Sequence, residues 1–357
     1  MPLKSEEGCL GVSNQPQVVV TTNRSLIYPS PHTPFHSTQT IYVDHNAVQA
    51  LARIDSAPSQ RVRDAAAGLR RVQDVCPPKP RPPAADAGGN SSNRPAATCQ
   101  TVVGQALAAG YRHIDSATAY HNERACALAI AAAAEKQQLR RADVFFTTKL
   151  PPRLHGYDAT AAAIDAVLGA NPELGGYVDL YLIHAPYGSR DDRLGQWQAM
   201  VAAQRAGKIR SLGVSNYGVH HLDELRAWQR AQAADAAGVL SVGQWELHPW
   251  LARRPIVDWC AREGVAVQAY SPLTRGTRLH DPLLQPLLAS HPGRTAAQLL
   301  IRWSLQMGFV PLPKTTHAER IRENADVFDF ELSDEEVRML DTGRYEPSCW
   351  DPTVEGL

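Results

Sequence analysis

A chain of 357 residues is too long for one small domain and suits either a single barrel with extensions or two ordinary domains. Its 36 basic and 36 acidic residues cancel, which argues against a surface built for nucleic acid or an anionic membrane. No run of 18 apolar residues occurs, so no transmembrane helix is expected.

The N-terminus, MPLKSEEGCLGV, lacks the apolar core of a secretory signal, and the expected compartment is the cytosol. Six scattered cysteines without CxxC spacing read there as free thiols, neither a disulfide framework nor a zinc site, and no metal is expected.

In chain order, residues 1–98 are irregular. QVVVTT (17–22) and TIYVD (40–44) are candidate strands and AVQALARI (47–54) a candidate helix. The Pro/Gly/Ser/Asn-rich stretch 76–98 cannot bury a core and is expected to be flexible. From residue 99 to 345 the pattern is regular. Seven short apolar runs, RHIDSA, DVFFTTKL, VDLYLIHAP, IRSLGVSN, SVGQWELHP, VAVQAYSPL and FVPLPK, alternate with amphipathic spans at 100–109, 122–138, 158–169, 195–206, 219–234, 254–263 and 295–306. Strands alternating with helices indicate βαβ units and a parallel sheet. Seven units, with an eighth strand required upstream, fit an α/β fold of the closed (β/α)8 TIM barrel type. LSDEEVRMLD opens with a capping box, Ser333 to Glu336, so a further helix follows the last strand. Residues 346–357 form a C-terminal tail.

Polar residues recur in phase at the C-terminal ends of the runs: Asp115, Lys149, His184, Ser215 with Asn216, Gln244, Tyr270 and Lys314. In a (β/α)8 barrel those ends converge on one mouth, where catalytic residues reside. Four residues make a chemical unit. A tyrosine hydroxyl is a poor acid near neutral pH, a nearby ammonium favours its phenolate, and a carboxylate can hold that ammonium in place. Tyr120, Lys149 and Asp115 supply those parts, and His184 adds a neutral donor for a carbonyl oxygen. Together they provide a proton donor at a carbonyl, as carbonyl reduction requires. No GxGxxG follows a strand, which argues against a Rossmann site. PKTTHAERIREN instead offers fixed cations and hydroxyls where barrels commonly bind phosphate, favouring NADPH over NADH.

The motifs GYRHIDSATAYHNE, FFTTKL, DLYLIHAP, GKIRSLGVSN, QAYSPL and PLPKTTHAERIREN, in that order over roughly residues 100–345, resemble the aldo-keto reductases, NADPH-dependent carbonyl reductases on a (β/α)8 barrel. The resemblance implies Tyr120 as general acid, Lys149 and Asp115 as its tuning pair, and His184 as the substrate-orienting group. It implies Ser215, Asn216 and Gln244 on the nicotinamide carboxamide and Tyr270 stacked on the ring, followed by Ser271 and Leu273. Lys314, Thr315 and Arg320 correspond to the cradle for the 2′-phosphate, with Glu323 and Asn324 near the adenine. The partner is a small carbonyl substrate, and the chain is expected to be a monomer or a weak homo-oligomer.

Two departures stand out. The family's Gly-rich first strand has no counterpart in the Pro-rich residues 76–98, so either 17–22 or 40–44 closes the barrel across a long insertion or that strand is missing. After His184 comes Ala185-Pro186-Tyr187 in place of a bulky aromatic, which predicts a broad, shallow site. His220 and His221 read as surface residues without a role. A non-catalytic NADPH-binding regulatory or interaction protein on the same barrel is the alternative, motivated by the altered first strand. An isomerase-type barrel is a third reading, but it needs a Glu or Lys base and no nicotinamide clamp.

Overall fold

Short runs rich in β-branched and aromatic residues become seven parallel strands in the computed structural model, which describes residues 94–137 and 139–354. They are β1 (His113–Asp115), β2 (Phe145–Leu150), β3 (Val178–Ile183), β4 (Ile209–Ser215), β5 (Leu240–Glu246), β6 (Ala266–Tyr270) and β7 (Val310–Leu312). They pair strictly in chain order, each joined to the next through helical structure, as right-handed βαβ crossovers demand. The result is a nearly closed (β/α)8-type barrel. The candidate strands 17–22 and 40–44 and the helix 47–54 lie outside the described residues.

Helix boundaries follow local capping chemistry. Ser189 Oγ accepts from the Asp192 amide at 3.1 Å while Asp192 accepts from the Ser189 amide at 2.9 Å, opening the helix Arg190–Arg205. Thr295 and Gln298 cap Ala296–Gln306 in the same way. The box expected at Ser333 and Glu336 starts Asp334–Met339. Such caps satisfy amides that have no partner inside the helix. The expected span 219–234 is two helices, Val219–Arg230 and Ala234–Ala237.

Alternation along the strands sorts the core into two layers. Tyr181, Ile183, Phe146, Val214, Trp245 and Ala269 join the large cluster between strands and helices, which also holds Trp197 and Trp303. Leu180, Leu182 and Val242 form a second cluster, with Phe145 and Ala266 against it. Continuing the same alternation towards the strand ends brings Asp115, Lys149, His184, Ser215, Gln244 and Tyr270 onto that second, inner face. The lower inner layer is apolar and the upper one polar. At Gly213 a register shift between β4 and β5 draws the backbones so close that a Cβ would stand 2.3 Å from the Val242 carbonyl oxygen. Only glycine fits there.

Candidate active site

The polar layer is built around a buried ion pair. Lys149 Nζ, whose side chain is fully buried, donates to Asp115 Oδ2 at 2.5 Å and to the Ser116 carbonyl at 2.8 Å. Asp115 Oδ1 accepts from Gln244 Nε2 at 2.8 Å, and that nitrogen also donates to Gln268 Oε1 at 2.8 Å. Both carboxylate oxygens are thus occupied, the condition under which a buried charge pair is tolerable.

Tyr120 ends a 3-10 turn, Thr118–Tyr120, directly after β1. Its ring lies with the Lys149 ammonium 5.2 Å from its centre. The His184 ring, just past β3, meets it edge-on with centres 5.7 Å apart. His184 is almost fully buried, and its Nδ1 has no hydrogen-bond partner among the described residues. Burial, reinforced by the Lys149 charge, holds its imidazole down to about 3, so it is neutral at ordinary pH.

On the other side of the mouth Ser215, Asn216, Gln244 and Tyr270 interlock. Tyr270 donates its hydroxyl to Asn216 Oδ1 at 2.8 Å, Asn216 Nδ2 donates to the His184 carbonyl at 3.0 Å and to Ser215 Oγ at 3.1 Å, and Ser215 Oγ donates to the Gln244 carbonyl at 3.0 Å. Asn216 is held at φ 62° and Ser271 at φ 49°. Asparagine tolerates this left-handed region better than most side chains, and non-glycine residues held there cluster at ligand clamps.

One cavity of about 1070 Å³ runs through all of this. It is lined by Asp115, Tyr120 and His184, by Ser215, Asn216, Gln244, Tyr270, Ser271 and Leu273, and at the far end by Lys314, Thr315, Arg320, Glu323 and Asn324. Every residue expected at the site from sequence is therefore on its wall except Lys149, which sits behind Asp115. Sequence reading missed several of its neighbours. Arg275, Gly276 and His280 from the loop after β6 line the same cavity.

Cys349 and Trp350 from the tail also line it, although the tail had been assigned no part. The Trp350 ring stands 5.9 Å from that of His184 and 6.0 Å from that of Tyr187. The tail is strapped down by Glu246, which accepts from the Ser348 amide at 2.8 Å, from the Ser348 hydroxyl, from Cys349 Sγ at 3.1 Å and from His248 Nε2 at 3.0 Å. Arg253 adds bonds to Asp351 Oδ1 at 3.0 Å and Thr353 Oγ1 at 2.9 Å. Burial would push the Glu246 carboxyl up, but its hydrogen bonds outweigh burial and hold it at about 2. Burial and the Glu246 charge push the Cys349 thiol up to about 12.

One lesser expectation needs correction. His221 is buried rather than on the surface, and its Nδ1 accepts from the Gly218 amide at 3.1 Å, because the start of its helix packs inward. Cys260 and Cys349 are free thiols as expected. Among the described residues no helix is long and apolar enough to cross a membrane.

A (β/α)8 barrel with a buried Lys–Asp pair, a tyrosine and a neutral histidine at its C-terminal mouth belongs to a class of enzymes whose sites lie at that end of the strands. The Aldo/keto reductase family model matches residues 85–343, and the chain belongs to that family. An uncharacterized oxidoreductase of Schizosaccharomyces pombe is 43% identical over 259 residues, covering 72% of this chain and 88% of that protein. A glyoxal reductase of Bacillus subtilis is 38% identical over 236 residues, 66% of this chain and 80% of that protein. A Bombyx mori aldo-keto reductase, solved in complex with NADP, superposes with a TM-score of 0.62 at 33% identity, over 72% of this chain and 86% of that one.

Proposed function

We propose that the protein reduces an aldehyde or ketone to the alcohol with NADPH, Tyr120 giving the proton. One observation carries the reading: a fully buried Lys149 ammonium lies 2.5 Å from Asp115 Oδ2 and 5.2 Å from the centre of the Tyr120 ring. An ammonium so placed favours the phenolate and makes the hydroxyl a usable acid, and Asp115 fixes the ammonium. His184, neutral through burial, orients the carbonyl oxygen towards that hydroxyl. It adds no second positive charge beside Lys149.

The cavity fits the cofactor. Its volume of about 1070 Å³ is at the upper end of small-molecule sites, large enough for a dinucleotide. Amide and hydroxyl groups of Ser215, Asn216 and Gln244 suit a carboxamide, and Tyr270 offers a flat face for the nicotinamide ring. Lys314, Thr315 and Arg320 suit a 2′-phosphate, which rewards fixed cations, with Glu323 and Asn324 beside the adenine. Reduced nicotinamide would supply the hydride when bound. The NADP-bound Bombyx mori relative and the Bacillus subtilis glyoxal reductase support both halves of the reading. The flanking rings of Tyr187 and Trp350 favour flat aromatic carbonyls over small aldoses.

The test is NADPH consumption by the wild-type protein and by Tyr120→Phe with a panel of aldehydes. General acid catalysis contributes about 10²–10⁴-fold, so the variant should lose at least about a hundredfold in kcat while NADPH quenching of protein fluorescence stays unchanged. Wild-type turnover by Tyr120→Phe would refute the role of Tyr120. A wild-type protein that binds NADPH but consumes none with any carbonyl would favour a regulatory protein instead.

A further inference from the structure

The acid–base unit contains a carboxylate that the mechanism above leaves unused. Glu123 is in the first turn of the helix Glu123–Gln137, three residues after Tyr120, and it is partly buried. Its Oε1 accepts from Thr118 Oγ1 at 3.2 Å and from the Thr148 hydroxyl. Thr118 opens the 3-10 turn that Tyr120 closes, and Thr148, fully buried on β2, directly precedes Lys149.

One carboxylate oxygen therefore clasps the turn that carries the phenol to the strand that carries the ammonium. Other bonds hold the base of the loop. Ser116 Oγ donates to Asn122 Oδ1 at 2.6 Å, and Lys149 Nζ donates to the Ser116 carbonyl at 2.8 Å. An acid that serves only to complement a helix start needs no such pair of hydroxyl partners and is normally left in water. Glu123 is withdrawn from water far enough that burial raises its carboxyl above the usual range, a cost its two hydroxyl donors partly offset.

We propose that Glu123 is a positioning residue: by accepting from Thr118 and Thr148 with one oxygen, it sets the separation between the Tyr120 hydroxyl and the Lys149 ammonium. The inference rests on the reductase reading and adds a residue to it. A clasp acts through geometry, so a neutral acceptor of the same shape should replace the carboxylate. A helix-start charge cannot be replaced in that way.

The experiment compares Glu123→Ala, Glu123→Gln, Thr148→Val and Thr148→Ser in the full chain. A misplacement of about 1 Å costs on the order of a hundredfold in rate. Glu123→Ala and Thr148→Val should therefore lose at least about tenfold in kcat, with NADPH affinity and carbonyl KM within about twofold of wild type. Glu123→Gln and Thr148→Ser should recover most of the rate. Unchanged kcat in Glu123→Ala overturns the proposal, as does Glu123→Gln no faster than Glu123→Ala, or NADPH affinity falling in step with kcat. Thr148→Val keeps the carboxylate and decides by the same criteria should Glu123→Ala fail to fold.

Failure of the reductase reading would show separately, as a wild-type protein without carbonyl turnover. In that event the clasp is judged by NMR of ¹³C-labelled tyrosine, with Tyr120 assigned by its loss in Tyr120→Phe. A Tyr120 resonance displaced in Glu123→Ala and restored in Glu123→Gln supports the clasp, and one unmoved in Glu123→Ala overturns it.

Discussion

Replacing Lys149 by methionine tests the buried pair most directly. The change removes an ammonium whose side chain is fully buried and leaves Asp115, itself only 3% exposed, inside the barrel. Breaking a buried ion pair by removing one partner costs about 3–5 kcal/mol, because the orphaned charge cannot return to water. Gln244 Nε2 still donates to Asp115 Oδ1, which places the cost at the lower end, about 3 kcal/mol. For a barrel of this size each kcal/mol moves the midpoint by roughly 2–4 °C, so Lys149→Met should melt about 6–12 °C below wild type. The double variant Asp115→Asn/Lys149→Met removes both charges and keeps an amide beside Gln244, so it should regain at least half of that loss. Differential scanning calorimetry of the four proteins of the cycle reads both quantities. A Lys149→Met midpoint within about 2 °C of wild type, or a double variant no more stable than the single one, would show that the pair is not coupled as its geometry requires.

The other predictions bear on cofactor, substrate and pH. Lys314→Ala and Arg320→Ala should each weaken NADPH binding by about tenfold or more, the value of a charge-assisted bond, and leave NADH within about twofold. Equal losses for both cofactors in fluorescence titration would sink the 2′-phosphate assignment. Trp350→Ala should raise KM for bulky aromatic aldehydes by about tenfold, from lost ring contact, while changing kcat for a small aldehyde little. His184 has a folded value of about 3 against an ordinary 6.5. The unfolded chain thus takes up a proton first, and stability is lost as pH falls from about 6.5 towards 3. The slope from this group is about 1.4 kcal/mol per pH unit. Glu246, at about 2 against 4.5, loses its contribution in the lower window from about 4.5 to 2. Acid unfolding of His184→Gln should begin at lower pH than wild type, and Glu246→Gln should flatten the profile only below about 4.5. Coincident curves for wild type and His184→Gln would contradict the burial of a neutral imidazole.

The seven strands were legible because each is a short β-branched or aromatic run closed by a polar residue, and period-two alternation then decides which side chains face inward. The mouth was legible for a related reason. A carboxylate, a lysine, a phenol and an imidazole at successive strand ends are costly to bury, and their chemistry constrains which types can stand together. That Lys149 is fully buried against Asp115 and off the cavity wall was not legible, since sequence phase gives the strand end and not the depth at which a long side chain stops.

The tail was not legible. Its anchors, Glu246 to Ser348 and Arg253 to Thr353, join residues about a hundred positions apart, and neither end carries a local signal. The inward turn of His221 depends on packing after β4 and was equally silent. The Glu123 clasp could have been suspected, because the quoted stretch YRHIDSATAYHNE ends on that acid and FFTTKL places a hydroxyl beside the lysine. What the letters lacked was the proximity of the two segments.

The strap held by Glu246 and Arg253 has a consequence for how the enzyme is made. Ser348–Thr353 are among the last of the described residues to leave the ribosome, after every described strand has been synthesised. The seven described strands can thus pair, and Asp115, Tyr120, Lys149 and His184 come together, while the side of the pocket beside His184 still lacks its tryptophan. A proteolytic nick between Tyr345 and Ser348 would sever Trp350 and its place on the cavity wall from the barrel without touching a described strand.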